Sequence, residues 1–441
     1  MKKIVILGAG ESGYGSAVLA KQKGFEVLIT DGGTIKKDYK TKIEAAGIEY
    51  EEGGHTLERV LEANLIIKSP GVPEKAPIVQ AAMARGIKII SEIEFAGRYT
   101  AARKICITGS NGKTTTTTLI YEIMRRAGMK VAAAGNIGES FALAIANASS
   151  EYDWYVVELS SFQLDGMYDF KADIALLLNI TPDHLDRYDY QMSRYVASKL
   201  RVMRNQTAAD TFIYNADDPE SLKVLPGTKI VANPIPFSAR GAVGGAWFDG
   251  EWLRYEDFSI RASEMKIKGL HNIANALAAI AATSRAGVPF DSIAQTLREF
   301  GGVEHRLEVV GTIDGVEYIN DSKATNVDSV WYALQSMTRP TVWIAGGTDK
   351  GNDYSTLTDL AREHCKALVC MGVDNKKLLA AFEGVVPVIY DTHSLAEAIE
   401  ASRSAAVDGD CVLLSPACAS FDLFNNYQER GRLFKAASLG Q

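Results

Sequence analysis

Three successive series of short β-branched runs, each alternating with stretches of helical periodicity, predict a three-domain α/β protein with mostly parallel sheets. Two further observations support this. A glycine-rich turn follows the opening run of the first and the second series, and 441 residues are near three times a typical domain of roughly 150. In the first series Lys3–Leu7, Glu26–Thr30, Leu65–Lys68 and Ile87–Ile90 read as strands. Lys104–Thr108 restarts the pattern, so a boundary falls near Gly97–Ala102. The second series continues with strands Tyr155–Glu158 and Ile174–Asn179 and closes on helical stretches Ile273–Ala286 and Phe290–Phe300. Gly301–Arg306 breaks the periodicity and marks the next boundary. The third series has strands Thr341–Ala345, Ala367–Met371, Val386–Tyr390 and Cys411–Ser415, separated by amphipathic helical stretches. The expected domains are 1–98, 99–302 and 303–441.

Composition narrows the classes. Hydrophobic residues at 47% and charged ones at 23% fit a globular chain and exclude a disordered one. The net charge of −7 disfavours non-specific binding to nucleic acid or anionic membranes. Apolar runs such as Ile174–Leu178 fall far short of the roughly 20 residues a spanning helix needs. No signal peptide is visible before Gly8, so a cytoplasmic protein is expected. Cys106, Cys365, Cys370, Cys411 and Cys418 include no C-x-x-C pair, which reads as reduced, structural thiols and no zinc site.

The strongest local signal is Thr108-Gly109-Ser110-Asn111-Gly112-Lys113-Thr114-Thr115, placed after a strand and opening a helix. Gly109 and Gly112 let backbone N–H groups turn toward a phosphate, Lys113 brings a point charge, and the Thr114 hydroxyl can ligate Mg²⁺. The loop is shorter than the usual P-loop, with Ile107 where a glycine is expected. Gly8-Ala9-Gly10-Glu11-Ser12-Gly13 matches G-x-G-x-x-G after a strand, with Asp31 at the end of the next one. Alone, that pattern suggests a nicotinamide-dependent oxidoreductase. The physics says only that a diphosphate can sit on a helix N-terminus, whichever nucleotide carries it. Glu158 ends a strand where α/β enzymes place a Mg²⁺ ligand facing the phosphate loop, and His184 follows the next strand at the same sheet edge. By composition Lys199 reads as an exposed helical lysine.

The 108–115 loop resembles the ATP loop shared by the Mur ligases and the folylpolyglutamate synthases, which use ATP to join a carboxylate to an amino acid's amine. The resemblance extends through Asn179-Ile-Thr-Pro-Asp-His-Leu-Asp, Asp321-Ser-Lys-Ala-Thr-Asn and Ser415-Pro-Ala-Cys-Ala-Ser-Phe-Asp, the last two pointing to the D-glutamate-adding branch of the Mur ligases. It implies a Rossmann-like N-terminal domain, a P-loop-type central ATPase domain with a mostly parallel sheet, and a Rossmann-like C-terminal domain. It also implies the activity: ATP-driven addition of D-glutamate to UDP-N-acetylmuramoyl-L-alanine (UDP-MurNAc-L-Ala), by a monomer that binds neither nucleic acid nor membrane.

Residue by residue, the resemblance assigns Glu11, Ser12, Gly13, Asp31, Ser69 and Gly71 to the UDP end of that substrate, with Gly32-Gly33 where relatives carry a polar or basic residue. Asn136, Ser160, Gln163 and His184 would hold its muramoyl part. ATP would lie on Gly109 to Thr115, Asn272, Asn275, Arg306, Asp321 and Lys323, Arg306 suiting phosphate oxygens through its planar guanidinium. Thr114, Glu158, His184 and Lys199 would hold two Mg²⁺ ions, Lys199 as a CO₂-derived carbamate. Thr325, Lys350, Ser420 and Tyr427 would bind D-glutamate, Tyr427 standing in the same helix as Ser420 and where a relative has Phe. Lys113, Glu158, His184, Lys199 and Arg306 would carry the catalysis. The alternatives are a folylpolyglutamate synthase-like ligase, an NAD(P)-dependent oxidoreductase and a non-catalytic nucleotide-binding module. A full N-terminal nucleotide domain argues against the first.

Overall fold

A computed structural model describes residues 2–183, 185–349 and 351–440. The chain folds into two compact units, residues 1–265 with 273–299, and residues 266–272 with 300–441.

The first unit holds two sheets. β1 (Lys3–Leu7), β2 (Glu26–Asp31), β3 (Glu49–Glu52), β4 (Leu65–Lys68) and β5 (Ile89–Ser91) form a fully parallel sheet in the order β3-β2-β1-β4-β5. β1 is buried on both faces, as its unbroken run Ile4 to Leu7 requires. The strand order reverses at β1, and an open α/β sheet binds ligands in the crevice at such a point. Gly8–Gly13 leaves β1 there, beside Ser69 at the end of β4.

The second sheet comprises β6 (Arg103–Thr108), β7 (Val131–Gly135), β8 (Trp154–Glu158), β9 (Ile174–Leu177), β10 (Thr211–Asn215), β11 (Asn233–Ser238), β12 (Ala246–Phe248), β13 (Trp252–Tyr255) and β14 (Phe258–Arg261). Its order is β14-β13-β12-β11-β10-β9-β6-β8-β7, parallel from β7 to β12 and antiparallel beyond. β6 is the switch strand, flanked by β8 and β9, and the 108–115 loop leaves its carboxyl end. β11 contains Pro234 and Pro236, which removes two donors from an interior strand. The N–H of Asn233 points to β10, so the even-numbered nitrogens face β12, whose pairing begins only at Phe237. The prolines therefore cost no ladder bond.

The second unit contains β15 (Glu308–Ile313), β16 (Val316–Asn320), β17 (Thr341–Gly346), β18 (Cys365–Met371), β19 (Ile389–Thr392) and β20 (Cys411–Ala417), ordered β15-β16-β20-β17-β18-β19. Only the β15–β16 hairpin is antiparallel. Helices cover both faces, giving one core around Trp343 and Phe382 and another around Val369 and Phe434. All five cysteines are free and buried. No helix among the described residues is long and apolar enough to cross a membrane.

Candidate active site

The first glycine loop is shaped by close approach. Gly8 has φ +96°, and a Cβ on Gly13 would lie 1.9 Å from the Gly8 carbonyl oxygen, so strand and helix can meet only through glycine. Ser69 Oγ donates to Gly8 O at 3.3 Å. Asp31 is spent on the same turn: Oδ2 accepts from Ala9 N at 2.8 Å and Oδ1 from Gly33 N at 2.9 Å. Glu11 accepts from Tyr39 Oη (3.0 Å) and Ser140 N (3.3 Å), and burial together with Glu11 pushes the Tyr39 phenol up to about 12. Two side chains given no role from the sequence stand here. His55 Nδ1 lies 2.7 Å from Thr30 Oγ1, and a Cβ on Gly32 would sit 3.2 Å from its Nε2. Arg187 stacks 4.5 Å over Phe162 and donates to Pro70 O, just before Gly71.

The second loop caps the Lys113–Arg126 helix, with Gly112 at φ +84° as the capping residue. A Cβ there would stand 2.4 Å from Asn275 Oδ1, which accepts from Thr116 Oγ1 at 3.2 Å. The loop is pinned to the segment after β9. Asn111 N donates to Asn179 Oδ1 (2.8 Å), Asn179 Nδ2 donates back to Asn111 O (3.0 Å), and Ser110 Oγ exchanges bonds with Thr181. Lys113 Nζ donates to Gly109 O (2.7 Å) and Ser110 O (2.8 Å), which holds the ammonium over its own loop. Thr114 and Thr115 are buried in the first helical turn.

Across the β6–β8 pair, Glu158 is registered with Ile107 and is buried. Its Oε1 accepts from Asn136 Nδ2 at 2.9 Å, while Oε2 has no hydrogen-bond partner among the described residues. A buried carboxylate oxygen with no donor is costly, and a hard cation satisfies it. This donor set fits Mg²⁺. Ser160 and Gln163 form a capping box on the short Ser161–Asp165 helix, so their local role is structural. Lys199 corrects the reading as an exposed lysine: it is 2% exposed, in the Met192–Leu200 helix, with Nζ 4.6 Å over the Tyr195 ring. Burial, reinforced by the charge of Lys113, holds its pKa well below the ordinary lysine value. His184 lies outside the described residues.

In the second unit the candidates gather at the carboxyl ends of β16, β17 and β20. Asp321 is buried, which pushes its carboxyl up to about 7 against the pull of Arg306 and the 2.8 Å bond from Ser415 Oγ. Burial and Arg306 also bring His271 down to about 4. Arg306 stands between His305 (φ +65°) and Leu307 (φ +43°), in a sharply turned segment. Lys323 Nζ lies 5.5 Å over the Tyr427 ring, and Ser322 Oγ donates to Tyr427 O at 2.8 Å. Thr325 is partly buried on the loop that leads into the Val327–Gln335 helix. Ser420 is buried in the loop after β20, and Tyr427 opens the Tyr427–Ser438 helix. The two therefore do not share a helix as expected, since Asn426 starts the helix by capping it. Asn272 belongs to this unit and Asn275 to the first. Lys350 lies outside the described residues. Glu304, His305 and Glu308 cluster nearby, but Lys435 Nζ already bridges the two glutamates.

Known proteins give this geometry its context. Residues 2–91 match the family described as Mur ligase MurD-like, N-terminal domain; residues 107–283 match Mur ligase middle domain; residues 305–418 match Mur ligase, glutamate ligase domain. UDP-N-acetylmuramoylalanine--D-glutamate ligase of Bacteroides fragilis is 52% identical, with 99% of each chain covered. The enzyme of the same name from Christiangramia forsetii is 47% identical over 99% of each chain, and that of Chlorobaculum parvum 41% over 98% of this chain and 96% of its own. In fold, the chain is similar to UDP-N-acetylmuramate-alanine ligase MurC of Thermotoga maritima, with TM-score 0.66, 17% identity and both chains covered in full. MurF of Acinetobacter baumannii gives TM-score 0.65 at 16% identity, over 99% of this chain and 93% of its own. With three matched domains and full-length relatives well above 30% identity, the chain belongs to the Mur ligase family.

Proposed function

We propose that this chain is an ATP-dependent ligase that joins D-glutamate to UDP-MurNAc-L-Ala in the making of peptidoglycan precursors. One observation carries the reading. The 108–115 loop leaves the switch strand of the second sheet beside the Glu158 oxygen that has no partner among the described residues, in a chain 52% identical to a D-glutamate ligase. Residues 1–98 take the UDP end through Glu11, Ser12, Gly13, Ser69 and Gly71, with Asp31 shaping the turn. Residues 99–302 take ATP on Gly109 to Thr115 with Asn275, and the muramoyl part on Asn136, Ser160, Gln163 and His184. Residues 303–441 supply Arg306, Asp321 and Lys323 toward ATP, as Asn272 does from just before them, and Thr325, Lys350, Ser420 and Tyr427 toward D-glutamate. The protein acts as a cytoplasmic monomer on small molecules, without nucleic acid or membrane insertion.

The chemistry has two displacements. The L-alanyl carboxylate oxygen bonds to the γ-phosphorus of ATP while the bond to ADP breaks, giving an acyl phosphate. The D-glutamate amine then bonds to the acyl carbon, phosphate leaves with the bonding pair, and the nitrogen gives up a proton. Lys113 and Arg306 offset charge on the transferring phosphoryl group. Mg²⁺, when bound by Thr114, Glu158, His184 and a Lys199 carbamate, withdraws charge from phosphate oxygens. The lowered pKa of Lys199 favours the neutral amine, the form that adds CO₂. A carbamate carbon resonance from ¹³C-bicarbonate, present in the wild type and missing in Lys199→Met, is the expected signature.

The deciding experiment is phosphate release from ATP with UDP-MurNAc-L-Ala and each candidate amino acid. Release that depends on D-glutamate supports the reading. Equal release with L-glutamate, or none with either, sinks it.

A further inference from the structure

Arg430 is 1% exposed, the largest charged side chain among those fully buried. Its Nε donates to Ser322 Oγ (3.0 Å), Nη2 to Ser322 O (2.9 Å) and Cys418 O (3.3 Å), and Nη1 to Cys418 O (3.3 Å) and Gly346 O (3.5 Å). Asp321 and Asp422 attract it without hydrogen-bonding to it. A buried cation held by carbonyls and one hydroxyl, with no carboxylate bonded to it, is expensive, and an apolar side chain fills a core at lower cost. What this one accomplishes is a junction. Ser322 lies between Asp321 and Lys323 and shortly before Thr325, Gly346 opens the loop to Lys350, and Cys418 is just before Ser420. Arg430 itself sits in the first turn of the helix that Tyr427 opens. The junction is tight. A Cβ on Gly347 would lie 2.2 Å from Ala419 O and 3.3 Å from Arg430 Nη1, and Thr348 and Ala419 exchange backbone bonds across the two loops.

We propose that Arg430 is the positioning residue of the amino-acid subsite: one guanidinium sets the spacing of the segments bearing Thr325, Ser420 and Tyr427 and of the loop that follows Gly346, and ties them to the Asp321–Lys323 segment. The inference rests on the ligase reading above. Guanidinium is suited to this because it offers five donors in a fixed plane, where an ammonium is a single point. A purely structural arginine would instead affect stability and leave substrate discrimination untouched.

The test uses the full chain carrying Arg430→Lys, with steady-state phosphate release and thermal melting. The KM for D-glutamate is expected to rise at least ~10-fold, while the KM for UDP-MurNAc-L-Ala stays within about twofold. Ser322→Ala, which removes the Nε acceptor together with the hydroxyl's own bond to Tyr427 O, is expected to shift the same KM in the same direction by a smaller factor, and serves should Arg430→Lys fail to fold. A lowered melting temperature with both KM values unchanged overturns the proposal, as does an equal rise in both. A wild-type enzyme with no D-glutamate-dependent release overturns the ligase reading, and this inference with it.

Discussion

Glu158 and Lys199 are both buried titratable side chains, and the proposed metal site would give each a reason to be there. The Glu158 carboxylate satisfies one oxygen with Asn136 and leaves the other without a donor among the described residues, so its burial is a cost that a cation would offset. Glu158→Gln keeps the shape and the Asn136 contact while removing the charge. Phosphate release is expected to fall roughly 100-fold or more, as when a group stabilising transition-state charge is lost, with the melting temperature shifted by only a few degrees. Release near the wild-type rate would sink the metal role. Glu158 was legible in the sequence because a carboxylate ending a strand next to a phosphate loop is an unusual pairing. The burial of Lys199 was not read, although a signal existed. Tyr195 and Val196 form the buried stripe of their helix, and Lys199 falls four and three residues beyond them, on the same face. Composition marked it as a surface residue; periodicity marked it as inward. Arg430 is hidden for a different reason, because apart from the Ser322 hydroxyl its partners are backbone carbonyls, and carbonyls leave no residue-type signature.

At the scale of elements, the short Glu92–Ala96 helix does more than end the first series of strands. All five of its residues are buried, and both glutamates reach across to elements of the second sheet. Glu94 Oε2 accepts from the N–H groups of Tyr168, Asp169 and Phe170 at 3.0, 3.1 and 2.9 Å, while Oε1 meets Arg98 at 3.0 Å. Glu92 Oε1 accepts from Ala142 N, and its Oε2 has no partner among the described residues. Burial, with the nearby charge of Glu11 adding to it, raises Glu92 from 4.5 to about 8 against the pull of the Ala142 and Phe141 amides. The folded state thus keeps a proton that the unfolded chain has released between those values. The stabilising contribution is full below about 4.5 and is lost as the pH rises to about 8. Glu92→Gln imitates the protonated form, so its stability relative to wild type is expected to increase across that window by up to ~1.4 kcal/mol per pH unit. Urea midpoints measured through the window check this, and parallel curves for the two proteins refute it. Other elements escaped the sequence for local reasons. β3 is Glu-Tyr-Glu-Glu, a charged edge strand with little apolar signal, and β11 carries two prolines. The buried parallel strands with continuous apolar runs, such as β1 and β9, stood out plainly.

On the scale of the whole molecule, a net charge of −7 coexists with substrates that are all anions. The two are compatible because recognition is local: Lys113 lies over one loop, Lys323 and Arg306 stand at another sheet edge, and buried helix N-termini add partial positive charge. The same locality applies to stability. One core that runs through Ile6 and Val157 belongs to the first unit, and those around Trp343 and Val369 belong to the second. Separate cores are expected to melt as separate cooperative transitions in scanning calorimetry. In the proposed function the UDP-linked substrate binds the first unit, so it is expected to raise that transition and leave the other in place. At about 100 times its Kd, linkage stabilises the binding unit by about 2.7 kcal/mol, a displacement of several degrees that the scan resolves. The substrate should then lose this effect when Gly13→Ala brings a Cβ within 1.9 Å of the Gly8 carbonyl oxygen and disrupts the first glycine turn. A single transition that moves as a whole would contradict the independence of the two units, and an upward shift confined to the second transition would contradict the assignment of UDP to the first sheet.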